Sequence, residues 1–179
     1  MKPLLLVVAL LGLSAPARNA SVVSRPLIAS VESAMDRRFE SMFQDNPYLL
    51  LGNSRGVYLE GYGVVFSAEV NLILTAGGPF RGKVTKEEAA RHRLEKLNRI
   101  PVLRSSMRSA LVGASKSLDT VPGEERLVLA VSLFRHSWED MTDVPQQIVM
   151  SAQRKTLQQL DPTAPAQGVI EAAIQVKEY

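Results

Sequence analysis

Apolar residues recur along this chain with two rhythms, and each rhythm predicts an element. At Ile28, Val31, Met35, Phe39 and Met42 they return every three or four residues, which is the spacing of one stripe on an α-helix. A helix is expected over about Leu27 to Gln44. Glu32, Asp36, Arg37 and Glu40 lie largely off the stripe, and Asp45-Asn46-Pro47 supplies the stop. From Val57 to Leu74 the period falls to two. Tyr58, Tyr62, Val64, Phe66, Ala68, Val70, Leu72 and Leu74 share one face of an extended chain, and Leu59, Val65, Ser67, Glu69, Asn71 and Ile73 share the other. This is long for one strand. Gly61 and Gly63 flank Tyr62 and predict a bulge or sharp bend there. A tight hairpin is the alternative, disfavoured because no Asn-Gly or Asp-Gly turn is present.

Thr75 to Lys83 holds Gly77, Gly78, Pro79 and Gly82 and predicts a loop. Thr85 and Glu88 then form a capping box at a helix start. That helix is expected to reach about Arg99, because Pro101 disfavours helical geometry at Ile100. A second helix is expected over Val102 to Leu118, its apolar face made of Leu103, Met107, Ala110, Leu111 and Ala114. Val121-Pro122-Gly123 is a turn. Arg126 to His136 predicts a strand apolar on both faces and therefore buried. Ser137 to Pro145 is a loop, Gln147 to Gln153 a short strand and Arg154 to Leu160 a short helix. Asp161 to Gln167 is a linker, and the alternation of Ile170, Ala172, Ile174 and Val176 predicts a last strand despite the helical pull of Glu171-Ala172-Ala173. No repeat or second core is visible. The fold class expected is α+β: a single domain with a mixed or mainly antiparallel sheet of about four to five strands and helices packed on it.

The start of the chain follows a different logic. Lys2 precedes an apolar run from Leu4 to Leu13, and Ser14-Ala15-Pro16-Ala17 ends in an Ala-x-Ala pattern. This is the order of a cleavable signal peptide. The run is shorter than the ~20 residues a transmembrane helix needs. Residues 1–17 are therefore expected to be removed and residues 18–26 to form a flexible leader. The domain then spans 27–179, and the destination is the periplasm or the extracellular space. No transmembrane span is expected in the mature chain. Asn19-Ala20-Ser21 matches a glycosylation acceptor, a short pattern common by chance.

Composition narrows the chemistry. The chain has no cysteine, which excludes a disulfide framework, a thiolate nucleophile and a zinc–cysteine site. The 46% hydrophobic content can build a core unaided. The net charge is +3, of which Lys2 leaves with the signal peptide; so small an excess does not imply a nucleic-acid partner. The one charge bias runs from Lys83 to Lys116 and includes Lys86, Arg91, Arg93, Lys96, Arg99, Arg104 and Arg108 against Glu87, Glu88 and Glu95. Lys86, Arg91, Arg93, Lys96 and Arg99 are the candidate binding residues for an anionic envelope component or an acidic protein. The competing expectation is a solvated helix face partly paired through Glu87–Arg91 and Glu95–Arg99.

The best candidate for chemistry is Phe134-Arg135-His136-Ser137-Trp138-Glu139-Asp140. It holds the only tryptophan and one of two histidines and lies at a strand end. His136 with Glu139 or Asp140 is the expected centre if the protein is a metal-assisted or acid–base enzyme. The competing expectation is that His136 ends the strand, Trp138 packs on the core, and Glu139-Asp140 cap a turn. A serine hydrolase built on Ser132 or Ser137 lacks the Gly-x-Ser-x-Gly elbow. Gly61-Tyr62-Gly63 and Gly77-Gly78 lack the residues that complete a phosphate loop, and no cofactor is expected. Tyr58, Tyr62 and Phe66 are either core beneath the first helix or the face of a small-molecule or lipid carrier. These patterns favour an exported binding or structural module of the cell envelope over an enzyme.

Overall fold

Among the described residues three helices and six strands follow one another in the order α1 (Arg25–Glu40), β1 (Leu49–Leu50), β2 (Arg55–Leu59), β3 (Gly63–Asn71), α2 (Lys86–Ser117), β4 (Arg126–Leu133), β5 (Gln147–Gln153), α3 (Arg154–Gln158) and β6 (Gln175–Glu178). The computed structural model describes residues 23–42, 48–74, 84–160 and 172–179. The expected signal peptide, the Asn19-Ala20-Ser21 pattern, Asp45-Asn46-Pro47, the loop from Thr75 to Lys83, and the Asp161 to Gln167 linker with Ile170 lie outside the described residues.

The sheet is mixed. β3 is antiparallel to β1 and β2, parallel to β4, and β4–β5–β6 continue antiparallel. The parallel pair requires a long crossover, and α2 is that crossover. Among the described residues no helix is long and apolar enough to cross a membrane.

Residues 55–71 form a hairpin, not one bent strand. Leu59 pairs with Gly63, and Tyr62 N–H donates to Leu59 O at 3.0 Å. Gly61 has φ +78°, so a glycine at the third turn position meets the demand of a type II turn without Asn-Gly. Because three residues form the turn, even-numbered positions face even-numbered positions. Tyr58 opposite Val64 therefore keeps the face the alternation assigned to it. Gly56 permits the close approach of α1: a Cβ there would sit 2.7 Å from Ile28 Cγ2 and 2.6 Å from Phe66 Cε1. α1 covers this face, Phe66 is fully buried, and Tyr58 packs against the core, so these two residues are core and not an open carrier face. Tyr62 alone is exposed, at the turn.

α1 begins earlier than expected. Pro26 is tolerated in the first helical turn, where its missing N–H has no intrahelical partner to lose. Val23 is buried and Arg25 and Pro26 are helical, so these residues are not part of the flexible leader expected over 18–26. Glu32 and Asp36, expected off the stripe, are buried too: they accept hydrogen bonds from the Gly56 and Ser54 backbone N–H groups at 2.6 and 2.8 Å. An edge strand whose N–H groups lack a neighbouring strand is thus paired with helix carboxylates.

α2 is one helix of 32 residues that runs through Pro101. It is capped as predicted: Thr85 Oγ1 accepts from Glu88 N, and Glu88 Oε2 accepts from Thr85 N. The helix survives the proline because Ile100, Leu103, Met107, Leu111 and Ala114 stay in phase and all are buried. Each of the four larger side chains stabilises by roughly 1.5–3 kcal/mol when fully buried, enough together to offset a proline penalty of about 3 kcal/mol.

The buried residues of the three helices join the core on one face of the sheet, against Val64, Phe66, Val70, Leu127, Leu129, Val131, Ile148 and Met150. The other face is partly open. β4, expected to be buried on both sides, ends at Leu133 and leaves Ala130 and Ser132 half-buried there. Among the described residues the helices pack on one side of the sheet. The last strand, expected to include Ala172 and Ile174, starts only at Gln175; Ala172 and Ala173 are helical and Ile174 is a bend, so the local helical pull of the alanines outweighs the alternation there.

Candidate functional site

Two regions position polar side chains beside a cleft, and the basic row of α2 connects to the first of them. Residues 93, 96, 99 and 104 fall three to five apart, so one side of α2 carries them across the ends of several elements. Arg93 donates to Thr142 O at 2.6 Å and to Asp143 at 2.8 Å. Lys96 donates to Phe134 O at 2.9 Å and pairs with Glu139. Arg99 donates to Leu72 O and pairs with Glu95 at 2.8 Å. Arg104 holds Glu178 through two bonds of 2.7 Å. Leu72 and Phe134 lie just past the ends of β3 and β4, where the ladder no longer supplies donors to their carbonyls. Lys96 is 1% exposed and Arg99 6%. Of the five candidate binding residues on this helix, these two face inward and Arg93 is bound to the 142–143 turn, while Lys86 and Arg91 stand exposed.

The loop after β4 wraps around the Lys96 ammonium. The Glu139 side chain is 2% exposed; its Oε2 pairs with Lys96, and its Oε1 is buried with no hydrogen-bond partner. A turn closed by Glu139 N–H on His136 O, at 3.1 Å, sets this geometry. Trp138 stacks on His136 with centroids 5.3 Å apart and planes 9° apart, and meets the edge of His92 at 5.3 Å. The structure thus brings the chain's two histidines to its one tryptophan. His92 Nδ1 is buried and unpartnered. Asp140 turns away: it accepts from the Thr142 N–H at 2.9 Å and the Thr142 hydroxyl at 2.7 Å, and these bonds lower its pKa. His136, Glu139 and Asp140 therefore do not converge as a set. His136 and Glu139 share a cleft of about 420 Å³ with Arg135 and Ser137. Among the described residues no group of three or more His, Asp or Glu side chains is placed to hold a metal ion.

The second region lies on the open face of the sheet. Register brings Arg126, Val128, Val149, Ser151, Gln175 and Lys177 onto one surface, flanked by Tyr62 from the hairpin turn and by Tyr179. They line a cleft of about 380 Å³. Arg126 is held by Ser151 Oγ at 3.0 Å and Gln175 Oε1 at 2.8 Å, which fixes its guanidinium over the sheet. Tyr62 is 47% and Tyr179 66% exposed. Sequence reasoning passed over Arg126, Lys177 and Tyr179. Alternation along Gln175, Lys177 and Tyr179 signals a shared face, but their meeting with Arg126 depends on the pairing of β4, β5 and β6. The hairpin turn is joined to the start of β4 by Glu125, which accepts from Gly61 N–H at 3.1 Å and Tyr58 OH at 3.3 Å. Burial first, then the Glu125 carboxylate, raises the Tyr58 pKa.

No family model, no curated protein and no solved structure matches this chain.

Proposed function

We propose that this chain is an exported binding module of the cell envelope and that it docks an anionic glycan on the open face of its sheet. The observation that carries the reading is the placement of Arg126 and Lys177 over the apolar floor of Val128 and Val149, between the exposed rings of Tyr62 and Tyr179. Tyrosine rings offer apolar faces to the C–H faces of sugar rings while their hydroxyls stay wet. Arginine and lysine add charge-assisted hydrogen bonds to sugar carboxylates. The α2 cations support the reading indirectly: Arg93, Lys96, Arg99 and Arg104 are engaged within the fold, so the sheet face is the better-formed cationic surface.

The test is retention of the full chain on immobilised polygalacturonate, with neutral dextran as control. Retention on the polyanion should weaken as salt rises. Lys177→Glu and Tyr62→Ala should each weaken it about tenfold, and Arg91→Glu on α2 should leave it unchanged. No salt-sensitive retention, or full retention by Lys177→Glu, overturns the proposal; loss on Arg91→Glu alone would return the site to the helix. Export is tested separately, by N-terminal sequencing of protein recovered from its cell: a mature start near Arg18 supports it and an intact Met1 with Lys2 refutes it.

A further inference from the structure

We propose that the open face of the sheet takes an acylated acidic sugar, with the sugar in the cleft between Tyr62 and Tyr179 and its hydrocarbon chain laid across β4, β3 and β2. This rests on the glycan reading of the same cleft and adds the apolar half of the ligand. Register carries the argument. Val57 pairs with Val65, Val65 with Val128, Val128 with Ser151 and Ser151 with Gln175, so these side chains form one row across β2, β3, β4, β5 and β6. The β5–β6 end of the row is Ser151 and Gln175, the two groups to which Arg126 donates. The β2–β4 end is valine throughout. Val128 joins the two ends, since it also lies in the floor of the cleft.

The valine end stands uncovered. Val57 is 51% exposed, and Leu59, two residues along the same strand and on the same face, is 46% exposed. Val65 is half-buried. From Val57 to Val128 the row spans two strand spacings, about 10 Å of aliphatic surface. A sugar hydroxyl lying there would lose water and find no polar side chain in the row, which is unfavourable. The group that covers this end must therefore be apolar, while the group at the other end must answer Arg126 and Lys177. A second copy laid on this face would bring the same two cations against them. Among the described residues the only acidic side chain that the strands place on this face is Glu69, four residues and roughly 13 Å along β3 from Val65. An anionic sugar that carries a hydrocarbon chain complements both ends at once.

The full chain, labelled with nitrogen-15, is titrated with hexyl glucuronide, glucuronate and neutral hexyl glucoside, each kept below the concentration at which the amphiphile self-associates, and binding is read from amide shifts. Hexyl glucuronide should bind roughly tenfold or more tighter than glucuronate, because burial of its methylenes adds to the same anionic contact. It should exceed hexyl glucoside by a similar factor, because only the glucuronide carries the carboxylate. The double variant Val57→Thr/Leu59→Thr should weaken hexyl glucuronide roughly threefold or more and leave glucuronate binding and polygalacturonate retention unchanged. Threonine suits a strand and both positions are exposed, so the fold is preserved. Equal affinity for hexyl glucuronide and glucuronate, with polygalacturonate still retained, overturns the chain subsite and leaves the glycan reading standing. Equal affinity for hexyl glucoside and hexyl glucuronide marks a general apolar surface and overturns the proposal, as does unchanged hexyl glucuronide binding by the double variant. If neither glucuronide nor glucuronate binds and polygalacturonate is not retained, the glycan reading itself is refuted, and this inference with it.

Discussion

Gly63 has φ +130°, and a Cβ there would lie 1.9 Å from Arg126 O, because Gly63 opens β3 where the parallel strand β4 begins. Gly61, two residues earlier, has φ +78° and nothing within 4 Å of a built Cβ. The two glycines are alike in sequence and differ in what surrounds them. Gly63→Ala should therefore cost about 3 kcal/mol or more, combining backbone strain with a clash against main chain, while Gly61→Ala should cost about 1–2 kcal/mol from strain alone. Urea denaturation of the two variants side by side checks the contrast. Glu32 offers a second test. Burial by itself would raise its pKa, but the hydrogen bonds from Arg25 and Gly56, with the charges of Arg25 and Arg55, outweigh burial and hold it low. A lowered carboxyl stabilises the fold fully above the ordinary glutamate pKa of about 4.3, and that contribution is lost as the pH falls below it through the folded value. Glu32→Gln should flatten the acid limb of a stability–pH curve measured from pH 6 to 3. The carboxylate was legible in the sequence and its burial was not, since a helical wheel cannot show that an edge strand needs acceptors on that side.

At the scale of elements, the patterns that depend on near neighbours were readable. The Thr85–Glu88 capping box, the β5 limits and the even-numbered face of β3 all depend on contacts or alternation within a few residues. Pro101 shows where local rules yield. Its ring removes the donor to the Leu97 carbonyl and disfavours helix at Ile100, yet α2 continues because its apolar stripe stays in phase on the core. Pro101→Ala should then stabilise the protein by about 1–2 kcal/mol, the restored hydrogen bond being partly offset by a less restricted unfolded chain. A rise in thermal midpoint with unchanged circular dichroism would bear this out, and a fall would show that the proline shapes packing the core requires. The hairpin is the opposite case. The absence of Asn-Gly disfavours a turn in the sequence, yet Gly61 alone supplies the positive φ required.

Across the whole molecule, α2 acts as a brace whose cations reach the ends of β3 and β4, the 139–143 loop and the last strand. The Lys96–Glu139 pair is the most enclosed of these contacts. Lys96→Met leaves a carboxylate buried without its counter-charge and should cost about 3–5 kcal/mol, whereas the double variant Lys96→Met/Glu139→Leu should recover most of that loss. Equilibrium unfolding of both variants measures the difference, and equal losses would show that the Phe134 carbonyl, not the charge, is what Lys96 serves. From the sequence alone came the α+β class, a sheet backed by helices, the cap of α2 and the apolar faces of α1, β3 and α2, because these follow from periodicity over a few residues; that the sheet is mixed came only with the parallel pairing of β3 and β4. Tertiary structure alone decided which face of the sheet stays open. It also turned half of a basic row inward, separated Asp140 from Glu139, and brought Tyr62, Arg126 and Lys177 together. Those outcomes depend on strand order and register, set by the burial of whole faces at once, and no spacing along the chain encodes them separately.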